Sequence, residues 1–264
     1  MLKVTNAVKV FAKGTPDEYR ALDGLNLELS DGEFVTIIGS NGAGKSTLFN
    51  AICGNFWLDE GHIILDGKDI SYLSEHKRAR KIGRIFQDPM KGTAPHLTIE
   101  ENLALAYSRS KRGGLAPAIT KSERIMFKEA LAKFDMGLED RMDTKVGLLS
   151  GGQRQVVTLL MATLVPPRLL LLDEHTAALD PATAEKVMKI TKSIVDENHL
   201  TTLMITHNVK SALETGNRTI MLDAGKVIFD MDAEERVGMT VEDLMKKYSV
   251  KKHEEFDTDS AIFN

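Results

Sequence analysis

Apolar runs of strand length alternate along the chain with longer segments whose apolar positions recur every three to four residues. Leu2 to Phe11, Leu25 to Leu29 and Glu33 to Ile38 read as strands with few helices between them. They predict an antiparallel layer beside a main sheet. A Gly-rich turn follows Ile38, and a helix is expected from Lys45 to Ile52. Gly61 to Leu65 and Lys81 to Phe86 are further strands. Arg168 to Asp173 carries an unbroken apolar run, as a strand covered on both faces does, and Thr201 to Thr206 is a second buried strand. Pro181 suits the first turn of a helix that runs to Glu197. Arg218 to Leu222 and Lys226 to Phe229, joined through Ala224 and Gly225, read as a hairpin. The alternation predicts an α/β fold with a mainly parallel sheet and an N-terminal antiparallel β layer.

The stretch after the strand at Phe86 has a different character. Thr98 followed by Glu100 and Glu101 is a helix start, because early carboxylates favour the positive helix end. Ile119 to Phe134 has helical spacing, and Ser108 to Leu115 is a basic, Gly-containing loop. A helix from Gly152 to Leu164 stops at Pro166 and Pro167. The pattern predicts a helical subdomain over about 98–165, inserted into a single domain over 1–248, with 249–264 as a flexible charged tail.

Composition narrows the function classes. The 264 residues carry 34 Lys and Arg against 38 Asp and Glu, a net charge of -4, so no global basic excess invites a nucleic-acid partner. Cys53 is the single cysteine, which excludes an intrachain disulfide and a multi-cysteine zinc site. Met1 to Val10 lacks the apolar region of a signal peptide. The longest apolar stretches, Val156 to Val165 and Leu169 to Leu172, fall short of the ~20 residues a bilayer crossing needs. A soluble chain is expected, reaching a membrane only through a partner.

Three segments carry chemistry. Gly39, Ser40, Asn41, Gly42, Ala43, Gly44, Lys45, Ser46 and Thr47 match G-x-x-x-x-G-K-[ST], set between a strand and a helix. Its glycines let backbone N–H groups turn toward phosphate oxygens at the positive end of the helix. Lys45 is expected on the β- and γ-phosphates, Ser46 on Mg²⁺ and Thr47 near the α-phosphate. Leu169 to Glu174 is an apolar strand that ends in two carboxylates. Asp173 is expected to hold Mg²⁺ through water, and Glu174 to polarise the attacking water. The third segment, Leu149 to Gln155, opens a second helix with Ser150, Gly151, Gly152 and Gln153. That is a second anion site in a chain with one phosphate loop, and the nucleotide of another copy accounts for it.

Leu149 to Gln153 reads Leu-Ser-Gly-Gly-Gln, and with it the chain resembles the ATP-binding cassette (ABC) ATPases up to about Tyr248. The resemblance implies a phosphate-loop NTPase core and ATP and Mg²⁺ as cofactors. It implies that Gln87 contacts the metal and the transport partner, and that His207 contacts the γ-phosphate. Phe11 would stack on adenine, and Asp180, in the loop after the catalytic Glu174, would cross the dimer interface. His175 stands where the family commonly has proline, and is expected to face that interface. The segment Asp173 to Pro181 is similar to a bacterial subgroup serving importers for aromatic amino acids or related small nutrients.

The function this implies is the ATPase subunit of a membrane transporter, expected in the cytoplasm on the inner face of the membrane. A homodimer closed by shared ATP would drive separate permease subunits, with an extracellular solute-binding protein as further partner. The alternative is a soluble ABC ATPase of iron–sulfur cluster assembly. A DNA-repair or translation ATPase is disfavoured by a single cassette without a long coiled-coil insertion.

Overall fold

The computed structural model describes residues 1–110 and 119–249. The strands are β1 (Leu2–Phe11), β2 (Tyr19–Leu29), β3 (Phe34–Gly39), β4 (Glu60–Leu65), β5 (Lys68–Asp69), β6 (Ile82–Ile85), β7 (Leu169–Asp173), β8 (Thr202–Ile205), β9 (Arg218–Asp223) and β10 (Lys226–Met231). The helices are α1 (Lys45–Cys53), α2 (Glu75–Arg78), α3 (Ile99–Tyr107), α4 (Lys121–Ala132), α5 (Gly151–Thr163), α6 (Pro181–Glu197) and α7 (Val209–Glu214), and residues 241–249 are also helical.

Two sheets form. One is antiparallel, in the order β2-β1-β4-β5; the other runs β10-β9-β3-β8-β7-β6 and is parallel except for β10. The expected N-terminal layer is thus present, but β3 does not belong to it. It pairs in parallel with β8 and β9 at the centre of the second sheet. The reason is in its side chains: Phe34 to Ile38 are all buried, so both faces need a cover, and only the central parallel position provides two. Strand β4 takes the vacant place beside β1.

Alternation along β7 and β8 shows how the layers are held. Leu169, Leu171, Leu203 and Ile205 point into a core shared with α1 and the antiparallel sheet. Leu170, Leu172 and Met204 point the other way, into a core shared with α3, α4, α5 and α6. Successive side chains of a strand face opposite sides, so five residues of β7 tie together both halves of the molecule.

Helix starts follow local chemistry. Thr98 with Glu101, Thr120 with Glu123, and Ser150 with Gln153 each form a reciprocal capping box. Sequence periodicity overlooked α2 and α7 because four and six residues are too few to show a helical period. In the predicted loop from Ser108, residues Ser108–Ser110 form a 3-10 turn, and 111–118 lie outside the described residues, as does the predicted tail from 250 onward.

Leu171 is fully buried on the α1 side of the sheet. Leu171→Ala should therefore lower unfolding stability by about 2–5 kcal/mol, read from urea titration at constant protein concentration.

Candidate functional site

The site begins where β3 ends. Gly39 has φ 148° and Gly44 φ 100°, values that side-chain-bearing residues rarely adopt. A Cβ at Gly39 would lie 2.2 Å from the Leu222 carbonyl oxygen, and one at Gly44 2.5 Å from that of Ala21. Both glycines are thus demanded by backbone packing as well as by the turn. The loop they bracket delivers the chain to the N-terminus of α1, whose first turn holds no acidic residue. That end presents unpaired backbone N–H groups and a positive partial charge.

Lys45 is buried, and its ammonium donates to the carbonyl oxygens of Gly39 at 2.7 Å and Ser40 at 2.8 Å. Burial pushes its pKa down, while the nearby Glu174 and Asp173 carboxylates oppose that shift. Asn41, Gly42, Ala43, Gly44, Lys45, Ser46 and Thr47 line a recess of about 150 Å³ together with Tyr19, Glu174 and His207. Ser40 lies beside it, its hydroxyl donating to Asp223 Oδ1 at 3.1 Å.

Glu174 is the first residue beyond β7 and has φ 47°. A non-glycine residue in this region costs about 1–3 kcal/mol, a strain that surrounding structure must hold in place. The Glu174 N–H donates to the Ile205 carbonyl at 3.1 Å, and Glu174 Oε1 lies 2.6 Å from His207 Nε2. The carboxylate is thereby turned toward the recess that Lys45 lines.

Asp173 and Gln87 share an adjoining recess of about 650 Å³ with Asn50, Arg84 and Phe86. Here Asp173 Oδ2 accepts from Arg84 Nη2 at 2.9 Å. Phe11 lines neither recess. It is half-exposed, with its ring edge-on to Phe56 at 5.5 Å and the Lys9 ammonium 5.6 Å from its centre. Its cross-strand neighbour Tyr19 enters the recess instead, donating its hydroxyl to the Gly42 carbonyl. Sequence gives little signal for either residue: Arg84 is a lone cation within the predicted strand Lys81 to Phe86, and Tyr19 precedes the predicted strand Leu25 to Leu29, since β2 starts earlier than its apolar pattern shows.

Ser150, Gly151, Gly152 and Gln153 stand apart from both recesses. Ser150 Oγ accepts from the Gln153 N–H at 3.3 Å, and Gln153 Oε1 accepts from the Ser150 N–H at 3.3 Å. A Cβ on Gly152 would lie 2.2 Å from Thr183 Cγ2. Asp180 caps α6 through the Thr183 N–H at 3.0 Å, and hydrogen bonding to Thr183 draws its pKa down.

His175 does not face an interface. It is buried, with Nε2 3.1 Å from Thr191 Oγ1 on α6. The Thr191 hydroxyl already donates to the Val187 carbonyl at 2.8 Å, so its oxygen accepts from a protonated Nε2. Burial lowers the His175 pKa to about 4, and the ring is neutral at pH 7. Where proline would stiffen the loop by its ring, this chain anchors it by a hydrogen bond to α6.

The chain is similar to several known proteins. A family model described as "ABC transporter" matches residues 22–177. A tyrosine transport ATP-binding protein of Clostridioides difficile (strain R20291) is 43% identical over 248 residues, covering 94% of this chain and 98% of that protein. A phosphonates import ATP-binding protein of Lactococcus lactis subsp. cremoris (strain SK11) is 34% identical over 254 residues, covering 94% of this chain and 99% of that protein. Among solved structures, an ATP-binding cassette in a dimeric post-hydrolysis state bound to ADP and Pi aligns with TM-score 0.76 and 32% identity, covering 88% of this chain and 99% of that one.

Unfolding frees His175 to bind a proton near pH 6.5, whereas the folded protein resists until about pH 4. Its stabilising effect is complete above pH 6.5 and is lost as pH falls toward 4, by about 3 kcal/mol over the interval. Urea unfolding at pH 7.5, 6 and 5 should show a weaker pH dependence for His175→Gln than for the native chain.

Proposed function

The chain belongs to the ABC transporter family of ATP-binding cassettes, and from that premise we propose how its residues divide the work of ATP hydrolysis. It is an ATPase, the ATP-binding subunit of a membrane transporter. The observation that carries the site reading is the shared recess: a buried Lys45 under the phosphate loop, with Glu174 and His207 across from it.

The loop N–H groups, the α1 N-terminus and Lys45 bind the triphosphate by charge and hydrogen bonding. Glu174, oriented by His207 and by its own backbone, accepts a proton-side contact from the attacking water. His207 is half-exposed and lines the same recess, so the ring that holds Glu174 also borders the place of a γ-phosphate. Ser46, Gln87 and Asp173 offer only hard oxygen donors. Among the described residues no three His, Cys, Asp or Glu side chains cluster as a self-sufficient metal site. That donor set fits Mg²⁺, which is commonly held by one carboxylate together with substrate phosphates. When bound there, the ion would neutralise charge on the phosphoryl oxygens.

Ser150, Gly151, Gly152 and Gln153 open the 13-residue α5 with an anion-receptive helix end that its own chain does not use. In a homodimer that end closes over the partner's nucleotide, and Asp180 lies at the junction. The dimeric relative bound to ADP and Pi supports this assembly. Phe11, beside Tyr19 on the adjoining strand and outside the recess, offers an aromatic face for adenine. Residues 1–248 act as one nucleotide-binding domain, and the helical subdomain over 98–165, with Gln87, forms the face toward the permease.

Among the described residues no helix is long and apolar enough to cross a membrane. The import and transport ATP-binding relatives support a transport path in separate permease subunits, met at the inner membrane face. The tyrosine transport relative supports an aromatic amino acid or related nutrient as the substrate. Import, with an extracellular solute-binding protein delivering that nutrient, completes the proposal. Relatives named as transport or import ATP-binding proteins favour this reading over the iron–sulfur alternative.

Glu174→Gln should bind ATP, lose roughly 10²–10⁴-fold in hydrolysis and accumulate as a dimer in light scattering. A variant that stays monomeric with saturating ATP would refute the shared-nucleotide dimer. Lys45→Ala should weaken nucleotide binding and lower turnover by at least about 100-fold in a phosphate-release assay. Radiolabelled tyrosine uptake into vesicles holding the chain with its permease tests the substrate class.

A further inference from the structure

Arg84 stands out as a cation where strand geometry calls for an apolar side chain. It lies on β6 two residues after Ile82, on the face that α1 covers, and pairs in register with Leu171. Asp173 follows Leu171 by two residues on the same face. The guanidinium reaches along the sheet, donating to Asp173 Oδ2 at 2.9 Å and to Asn50 Oδ1 at 2.7 Å. It also lies 4.7 Å from the centre of the Phe86 ring. The side chains of Arg84 and Asp173 are 12% and 15% exposed, so the pair is largely withdrawn from solvent screening.

Three elements meet at this one side chain. Asn50 is on the helix that Lys45 begins, Asp173 ends β7, and β6 continues directly into Phe86 and Gln87. A buried cation left unpartnered would be costly, and so would the buried carboxylate without it. The pair is therefore held in one geometry. The two arms on Asn50 and Asp173 leave the guanidinium little freedom to swing away.

We propose that Arg84 is a positioning residue that occupies one oxygen of Asp173 and supplies the carboxylate's counter-charge, so that a divalent cation binds there only when nucleotide phosphates add negative charge. This rests on the reading of Asp173 as the metal-facing carboxylate. Without nucleotide, Arg84 and the buried Lys45 together offset Asp173 and Glu174. A further cation then meets no net attraction. ATP supplies the missing negative charge, and the metal enters as part of the nucleotide complex.

The test is Mn²⁺ binding to the purified full chain without nucleotide, followed by electron paramagnetic resonance. Arg84→Met should bind Mn²⁺ at least about tenfold more tightly than the native chain, because two carboxylates then face only one cation. Arg84→Gln, which keeps a polar amide without the charge, should show the same gain and serves if the methionine variant does not fold. Arg84→Lys should retain the weak native binding, since charge alone suffices. A purely structural role predicts no gain in any variant. Unchanged or weaker Mn²⁺ binding in Arg84→Gln overturns the role of Arg84. In the double variant Arg84→Gln with Asp173→Asn the gain should vanish. A gain that survives there places the ion elsewhere and overturns the reading of Asp173 instead.

Discussion

The buried ammonium of Lys45 is the charge around which this molecule's chemistry is arranged. It is withdrawn from water, held by two loop carbonyls, and faced by carboxylates at the end of a neighbouring strand. An ammonium in that position is tolerable only with such partners, and it is useful only if one side stays open to an anion. The parallel sheet provides both conditions. Ile37 of β3 lies opposite Ile205 of β8, Ile205 lies opposite Asp173 of β7, and Leu172 lies opposite Ile85 of β6. The residues just beyond that line all emerge at one edge: the phosphate loop, His207, Glu174 and Gln87. Ligands of open α/β sheets bind at that carboxyl edge for the same reason.

Several polar residues of the proposed site carry a structural duty as well. Ser150 and Gln153 complete a capping box, and Asp180 caps α6. These contacts do not compete with a role toward nucleotide. A cap fixes the first turn of a helix and so fixes the direction in which its remaining N–H groups point. Glu174 shows the same economy. Its left-handed backbone is strained, yet the strain turns its carboxylate away from the sheet and onto His207. The anchoring of His175 to Thr191 helps hold the loop that keeps this conformation.

The two recesses communicate through α1, β6 and β7. Lys45 begins α1, and Asn50 on the same helix receives Arg84, which in turn holds Asp173. The backbone of β6 leads from Arg84 to Gln87 within three residues. Covalent chain and paired charge thus link the Gln87 segment to Asp173.

The sequence alone determined the local features: the phosphate loop, the acidic end of β7, the Ser150 turn, the caps and most strand and helix positions. Each depends on residues within a few positions of one another, where glycine conformation, capping and periodicity act directly. Tertiary structure alone decided the rest. It moved β3 from the antiparallel layer to the sheet centre, because only packing reveals that both faces are covered. It buried His175 against α6, brought Tyr19 rather than Phe11 to the phosphate loop, and joined Arg84 to Asp173 across 89 positions of chain. Such pairs leave no periodic trace, because the fold and not the spacing brings their elements together.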